Sequence, residues 1–416
     1  MRTRVLAAVA VLAALLAPGA PAAAADQCAE SGKPLPGVPW PQQRLEPETL
    51  WPVASGSGVR VAVLASGVDG EHPQLRGRVS GGEDLLPGDT SSPSTDCQGF
   101  GTRVAGVIAA AQVTDIGFHG LAPKATIVPY RVATGEVITP AEGENDRTAG
   151  TPGTLADAIR AATEAKPDVL VVPVVTYVDD PEVKSAVASA VAADIVVVAS
   201  VGDGPPSPDG PVTPYPAAYD DVLGVGPIDV VGTLGGVTET LGGTGVVDLV
   251  APGDAMLSTQ TGGGLAQVDG SAYATAYVAG AAALVRSRWP SMPATEVVKR
   301  LLATAAPMSA SAGHGVVSPA QAVSEIMATG RPVAVPSDLA TVAPDAAARA
   351  ARDRSTAIEA AVAAAVGVVA VLGLAFAIAL PLGRRRRWRP GIAPRPEEHP
   401  EDDVPEPPRQ LFEDRR

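Results

Sequence analysis

The sequence predicts an α/β fold in which a mainly parallel sheet is flanked by helices. Short runs rich in valine alternate with segments of helical periodicity from residue 59 onward, which is typical of a parallel sheet. The predicted strands are apolar on both sides, as expected where helices cover both faces of a sheet. Hydrophobic residues make up 46% of the 416 residues but aromatic residues only 3%, so the core consists mainly of Val, Ala, Leu and Ile.

The individual elements follow from these runs in order along the chain. Buried strands are predicted over residues 59–64, 126–132, 168–175, 195–199 and 222–225. Helices are predicted over residues 101–111, 154–165, 181–192, 273–286 and 293–303. The helix over residues 273–286 is apolar on nearly all faces, so we expect it to be central and buried. Together these elements predict one domain over residues 56–328.

Residues 1–25 have the features of a signal peptide. Arg2 and Arg4 precede an apolar run that ends in small residues at 23–25. An uncleaved signal anchor is the alternative, and both interpretations predict that the rest of the chain is exported. Residues 26–55 form a proline-rich extension that we expect to be irregular.

The C-terminal part of the sequence predicts a membrane anchor. Residues 329–359 form a stalk rich in Ala, Pro and Arg, and residues 360–382 contain no charge and are long enough to span a bilayer. A buried helix of a soluble domain is the alternative. Arginines follow this segment directly, so the tail over residues 383–416 is predicted to be cytoplasmic and disordered. The predicted localisation is the cell membrane, with one pass and the large domain outside the cytoplasm.

The chain has two cysteines, Cys28 and Cys97. Both belong to the part predicted to be exported, where disulfides persist. One intramolecular disulfide is the favoured interpretation, and two free thiols or an intermolecular bridge are the alternatives. Closing a loop of this size stabilises a fold by about 4 kcal/mol in the chain-entropy model.

Four segments, in this order, resemble the motifs of the subtilisin-like serine proteases. Residues 61–69 resemble the first-strand motif, in which a catalytic Asp precedes Ser/Thr-Gly, and residues 96–106 resemble the helix that the catalytic His opens. Residues 120–123 and the strand that follows resemble the next element. Residues 270–274 resemble the nucleophile motif at the start of the central helix. The resemblance covers about residues 40–325, and it implies the subtilisin-like three-layer fold.

The order of segments is most similar to that of the mycosins, membrane-anchored subtilisin-like proteases associated with type VII secretion. Like them, the chain has a predicted signal peptide, a proline-rich extension, a protease-like domain, a stalk, one membrane helix and a short tail. The lead-in over residues 40–45 resembles theirs. A Cys28–Cys97 pair would also resemble a mycosin disulfide, which holds the extension beside the active site.

The resemblance places residues without catalytic chemistry at each catalytic position. Ala65 stands where the family has Asp, Phe100 where it has His, and Ala272 where it has Ser. None has the nucleophilic hydroxyl, imidazole or carboxylate that the mechanism needs. Asp203 stands where the family has an oxyanion-stabilising Asn, and an ionised carboxylate would repel an oxyanion.

Neighbouring polar residues are predicted to have structural roles. Ser271 is one residue from the nucleophile position, so its side chain leaves the helix in another direction. The other polar neighbours are predicted to be loop or turn residues: Ser66 a turn residue, Asp69 a turn cap, His72 a hydrogen-bonding loop residue, and His119 and His314 surface-turn residues.

The sequence therefore predicts a catalytically inactive homologue of serine endopeptidases, with a structural or regulatory role in type VII secretion. The partners that the resemblance implies are membrane components of that secretion system or an active mycosin. No cofactor or metal is expected, and the net charge of −14 argues against nucleic-acid binding. The alternatives are an active serine endopeptidase with an unconventional site and a peptide-binding module that uses the former cleft. Pro173 counts against the module, because it removes a backbone donor from the cleft strand.

Overall fold

The computed structural model describes residues 28–86, 92–138, 150–204, 212–236, 241 and 245–325. All of these residues lie in one compact unit, Met1–Ala328. The predicted signal peptide, stalk, membrane helix and tail lie outside the described residues. Across the part of the chain that is described, no helix combines the length and the hydropathy needed to cross a bilayer.

Helices and strands alternate along most of the chain. The strands are β1 Arg60–Ala65, β2 Glu83–Asp84, β3 Thr126–Arg131, β4 Val169–Val172, β5 Val196–Ser200, β6 Leu223–Ile228, β7 Leu249–Pro252, β8 Met256–Thr259 and β9 Leu265–Val268. The α-helices are α1 Trp40–Leu45, α2 Phe100–Ala109, α3 Pro152–Glu164, α4 Pro181–Ala192, α5 Ser271–Arg288, α6 Ala294–Ala303 and α7 Pro319–Ser324.

Seven of the described strands form one parallel sheet, in the order β2-β3-β1-β4-β5-β6-β7. In register, Val61 of β1 lies opposite Ile127 of β3 on one side and Val169 of β4 on the other. Strands β8 and β9 form a separate antiparallel hairpin. The predicted α/β architecture with a mainly parallel sheet is confirmed.

Helix α5 lies at the centre of the fold. Every residue from Ser271 to Arg286 is buried, as its uniformly apolar sequence predicts. Alanine, glycine and valine dominate this stretch, so the helix packs closely against β4, β5, β6 and β7 and against α2. This packing brings the first turn of α5 to the carboxyl edge of the sheet.

Most predicted elements are present, and three details of the prediction were wrong. Strand β4 ends at Val172 because Pro173 has no N–H to continue the ladder. Strands β2, β7, β8 and β9 and helix α7 were not predicted. The extension is not wholly irregular, because Pro41 lies in the first turn of the short helix α1, where a missing N–H costs nothing.

Candidate functional site

The three predicted triad positions lie at the carboxyl edge of the sheet. Ala65 is the last residue of β1, Phe100 the first residue of α2, and Ala272 the second residue of α5. Strand β1 lies between β3 and β4. The strands that follow it in the chain are added first on one side of β1 and then on the other, so the strand order reverses at this point. Ligands of α/β sheets bind in the crevice at such a point. The position is therefore where a functional site is expected on physical grounds.

Apolar contacts fill the space around these three residues. A Cβ on Gly101 would lie 3.0 Å from the Cβ of Ala65, so α2 begins directly against the end of β1. The ring of Phe100 meets that of Tyr273 edge-on, with centroids 6.4 Å apart. Phe100 is 3% exposed and Ala272 is 1% exposed. Because alanine and phenylalanine side chains contain no N, O or S, these positions supply neither a nucleophile nor a base.

A buried carboxylate, Asp96, joins the end of β1 to the start of α2. Its Oδ1 accepts hydrogen bonds from the Ser66 hydroxyl and the Gly99 amide, both at 2.8 Å. Its Oδ2 accepts from the amide and the hydroxyl of Thr102, at 2.8 and 2.7 Å. Burial raises the pKa of Asp96, and these four hydrogen bonds oppose that rise. Ser66 is thus more than a turn residue, because it is fully buried and donates to this network.

The sequence interpretation missed the role of Asp96. Asp is a common helix-capping residue, and its place shortly before the predicted helix was the signal available, although the N-cap position itself is Gly99. The network holds together the two chain segments that carry Ala65 and Phe100. It therefore fixes the backbone on which these two residues lie.

The carboxylate of Asp203 lies on the first turn of α5. The Ser271 amide donates to both of its oxygens, at 2.9 and 2.7 Å, and the Ser271 hydroxyl donates to Oδ2 at 3.0 Å. The residue before the helix, Gly270, provides no side-chain cap, so Asp203 takes this role from the loop after β5. A helix N-terminus favours a negative charge, while burial raises the pKa of Asp203.

Ser271, the serine adjacent to the nucleophile position, is enclosed. It is fully buried, and its hydroxyl lies 2.6 Å from the hydroxyl of Ser200 and 3.0 Å from Asp203 Oδ2. Two of the histidines in this domain have other partners. His72 contacts the Gly264 carbonyl at 3.0 Å, and His119 contacts Glu48. No imidazole is hydrogen-bonded to Ser271 among the described residues.

A second carboxyl group, Glu136, borders the same helix start. A Cβ on Gly270 would lie 2.6 Å from Asp203 Oδ2 and 3.9 Å from Glu136 Oε2. Burial, followed by the charge of Asp203, raises the pKa of Glu136 to about 7, and Arg103 opposes this rise. Arg103 donates to the Tyr273 hydroxyl at 3.2 Å. The site therefore contains two carboxyl groups and one arginine around an apolar floor.

The segment after β4 resembles the substrate-cleft strand of the family. Its backbone is hydrogen-bonded to two other segments of the same chain. The Val175 amide donates to the Glu136 carbonyl at 2.8 Å, and the Ile138 amide donates to the Val175 carbonyl at 2.8 Å. Thr176 and Tyr215 exchange two backbone hydrogen bonds, at 2.9 and 2.8 Å. An added peptide strand needs free backbone groups on such an edge. Val175 and Thr176 have none to offer.

The N-terminal extension is fastened beside the site. A disulfide joins Cys28 to Cys97, three residues before α2 begins. Lys33 then pairs with Leu265 of β9 in antiparallel fashion, with backbone hydrogen bonds of 3.2 and 2.9 Å. The intramolecular interpretation of the two cysteines agrees with the structure, and the extension adds a short strand segment to the β8–β9 hairpin.

Of the three histidines and Asp69, only His119 differs from the role predicted for it. His119 is not a surface-turn residue, because it is 2% exposed and its Nε2 lies 2.6 Å from Glu48 Oε1. His314 is exposed as predicted. His72 is a hydrogen-bonding loop residue as predicted, although buried. Asp69 accepts from the Glu71 amide, as a turn cap does. Among the described residues, no group of three or more His, Cys, Asp or Glu side chains is arranged to hold a metal ion.

The fold and the site geometry define a subtilisin-type domain, and comparison with known proteins agrees. Residues 56–340 match the subtilase family of peptidases. The chain therefore belongs to the subtilase family, whose members are serine endopeptidases. It is 34% identical over 254 residues to an intracellular serine protease of Paenibacillus polymyxa, which covers 60% of this chain and 73% of that protein.

Within the family, the chain is similar to mycosins. It is 32% identical over 348 residues to Mycosin-4 of Mycobacterium tuberculosis, covering 75% of each protein. Among solved structures, it resembles the MycP3 protease from the type VII (ESX-3) secretion system, with a TM-score of 0.59 and 30% identity over 71% of this chain and 93% of that one. It also resembles MycP1, an essential component of the type VII (ESX-1) secretion system, with a TM-score of 0.58 and 28% identity over 72% and 92% of the two chains.

Proposed function

We propose that this chain is a catalytically inactive, mycosin-type subtilase with a structural or regulatory role in type VII secretion. The observation that carries the proposal is the occupation of the triad positions by Ala65, Phe100 and Ala272, which are packed as core residues. In subtilisin, which has the same fold, removal of the whole triad lowers the turnover number by about 10⁶. The parallel sheet and the central helix are nevertheless present, so the domain folds without the catalytic residues.

The position of Asp203 is a second, independent observation that supports inactivity. In acyl transfer, donors at this edge stabilise an oxyanion. Here the Ser271 amide is already bonded to the Asp203 carboxylate. An oxyanion would therefore meet a carboxyl group where the reaction needs a donor. This arrangement satisfies the helix N-terminus from within the chain, which is a structural use of the site.

The two alternative functions have less support. An endopeptidase that used Ser271 would need an accessible hydroxyl and a base, but Ser271 is fully buried and bonded to Ser200 and Asp203. A peptide-binding module would need a free strand edge, but the backbone groups of Val175 and Thr176 are bonded within the chain. Neither requirement is met by the described residues.

Association with type VII secretion is proposed from similarity. Mycosin-4 and the MycP3 and MycP1 structures are the relevant relatives. We further propose that residues 360–382 anchor the chain in the cell membrane and that residues 1–25 direct its export. In that arrangement the domain over residues 56–328 meets membrane components of the secretion system, or an active mycosin, outside the cytoplasm.

Alkaline extraction of membranes tests the anchor. The full chain should stay in the membrane, and a chain that ends at residue 328 should be released.

A small fluorophosphonate probe tests inactivity, because it reacts with an activated serine and does not need a peptide groove. The wild-type protein should remain unlabelled, whereas the combined variant Ala65→Asp, Phe100→His, Ala272→Ser and Asp203→Asn should gain labelling. The matched control carries the same changes except Ala272→Ser and should stay unlabelled. Labelling of folded wild-type protein would refute the proposal.

Crosslinking in native membranes, followed by mass spectrometry, tests the partner. Recovery of membrane components of type VII secretion or of an active mycosin is expected. If the crosslinked products contain neither, the proposed association is wrong, even if the probe experiment confirms inactivity.

A further inference from the structure

A pocket lies away from the protease-like site, where α5, α6 and α7 meet. It has a volume of about 530 Å³, which is within the usual range for small-ligand sites. Its walls include Val53, Arg288, Trp289, Arg300, Val323 and Glu325. Two arginines, one indole ring and two valines therefore share one cavity, and none of them takes part in the proposed function.

Arg300 is held rigidly in this pocket. The residue is 7% exposed, and its guanidinium carbon lies 4.2 Å from the centre of the Trp289 ring. Its Nη1 donates to the carbonyls of Ala322 and Glu325, at 3.0 and 2.9 Å. Within the described residues, its Nε and Nη2 groups have no hydrogen-bond partner, and neither is sealed from solvent. One edge of an ordered guanidinium is therefore free.

Among the described residues, the charge of Arg300 has no counter-ion in salt-bridge contact. A guanidinium that is largely removed from water is normally paired with an anion. Within the described part of the chain, neither Arg300 nor Arg288 has an ion pair; the domain's other arginine pairs involve Arg76, Arg131, Arg160 and Arg286. Arg288 also lies near Trp289, with its guanidinium carbon 5.7 Å from the ring centre, and it is exposed. Two unpaired cations thus border the same aromatic ring.

We propose that this pocket binds a phosphate group, with Arg300 and Arg288 as its ligands and Trp289, Val53 and Val323 as an apolar wall for the attached group. The free edge of a guanidinium, with two N–H groups side by side, matches the spacing of phosphate oxygens. The group can come from a soluble phosphate or from a phospholipid headgroup. The exposed carboxyl group of Glu325 also lines the pocket and weakens binding of an anion.

Calorimetric titration of the full-length protein with inorganic phosphate, at constant ionic strength, tests the proposal. Arg288→Gln should weaken binding about tenfold or more, since a hydrogen bond to a charged group contributes about 1.5–3 kcal/mol. Glu325→Gln should strengthen it. Arg76→Gln, which removes an exposed arginine outside the pocket, is the matched control and should leave the affinity unchanged.

Two short-chain lipids, dihexanoyl phosphatidylglycerol and dihexanoyl phosphatidylcholine, separate the sources when used below their micelle concentrations. If the phosphatidylglycerol binds more tightly than inorganic phosphate, and Arg288→Gln weakens that binding, the pocket is a site for a lipid headgroup. If the lipid binds equally or more weakly, and Arg288→Gln weakens phosphate binding, the ligand is a soluble phosphate. Absence of phosphate and lipid binding, or an equal effect of Arg76→Gln and Arg288→Gln, would overturn the proposal. Thermal unfolding without ligand shows that each variant is folded.

Discussion

The carboxyl group of Glu136 makes the stability of this domain depend on pH near neutrality. Its pKa lies at about 7 in the folded protein, compared with an ordinary value of 4.5, chiefly because it is buried. Between these values the folded state holds a proton that the unfolded chain releases. The free energy of unfolding therefore falls as the pH rises through this window, and levels off above pH 7.

The size of the effect follows from the same difference. Moving a carboxyl pKa from 4.5 to about 7 corresponds to about 3 kcal/mol, and the part of the side chain that remains in water reduces this to about 2 kcal/mol. Glu136→Gln carries no titratable proton. Relative to wild type, its free energy of unfolding should therefore increase by about 2 kcal/mol between about pH 4 and pH 8.

Urea denaturation followed by tryptophan fluorescence, at several pH values, measures this difference. Comparison with wild type cancels the contributions of other buried carboxyl groups, such as Asp96 and Asp248. Glu164→Gln, at an exposed position of α3, is the control and should give a curve parallel to that of wild type. Parallel curves for Glu136→Gln would refute the argument that this carboxyl group is buried beside Asp203.

The remaining predictions concern one residue at a predicted triad position and two contacts around the site. Phe100→Ala should lower the free energy of unfolding in urea by about 3–5 kcal/mol, and Phe100→Leu by clearly less, because the ring is buried against Tyr273. A small loss in Phe100→Ala would mean that the ring is not part of the core. Asp203→Ala leaves the Ser271 amide without an acceptor, so hydrogen exchange should show this amide exchanging about tenfold faster, with Asp203→Asn between the two. Cys28→Ser should cost about 4 kcal/mol, because it opens a disulfide that spans 69 positions, and reduction of the wild type should reproduce the shift in thermal unfolding.

Much of the fold was predictable because it depends on local pattern. Continuous valine runs define β4 and β5, and an apolar surface on all sides defines α5, whatever the rest of the chain does. The short strands β8 and β9 were missed, since each has four residues and a polar position. Such strands form because a neighbouring strand is available to pair with, which a single sequence does not reveal.

The candidate site was also predictable only in part. That Ala65, Phe100 and Ala272 lack catalytic atoms is a property of the sequence once the motifs are aligned. That His119 is enclosed and bonded to Glu48 was not predictable, because the extension that carries Glu48 folds back over a distant loop. Glycine on its C-terminal side favoured a surface turn, but residues 117–120 form no turn in the structure, and burial depends on what covers the segment.

The sequence by itself thus determined the class of fold and the absence of catalytic atoms at the predicted triad positions, because residue identity and short-range spacing carry both. Only the tertiary structure decided how the residues around these positions are bonded. It places the Asp203 carboxylate on Ser271, 68 positions away, joins the cleft segment at Val175 to Glu136, and leaves the free edge of Arg300 facing a pocket. Each depends on which distant segments meet and on how much water remains between them. These are properties of the packed chain, and no local pattern of residues specifies them.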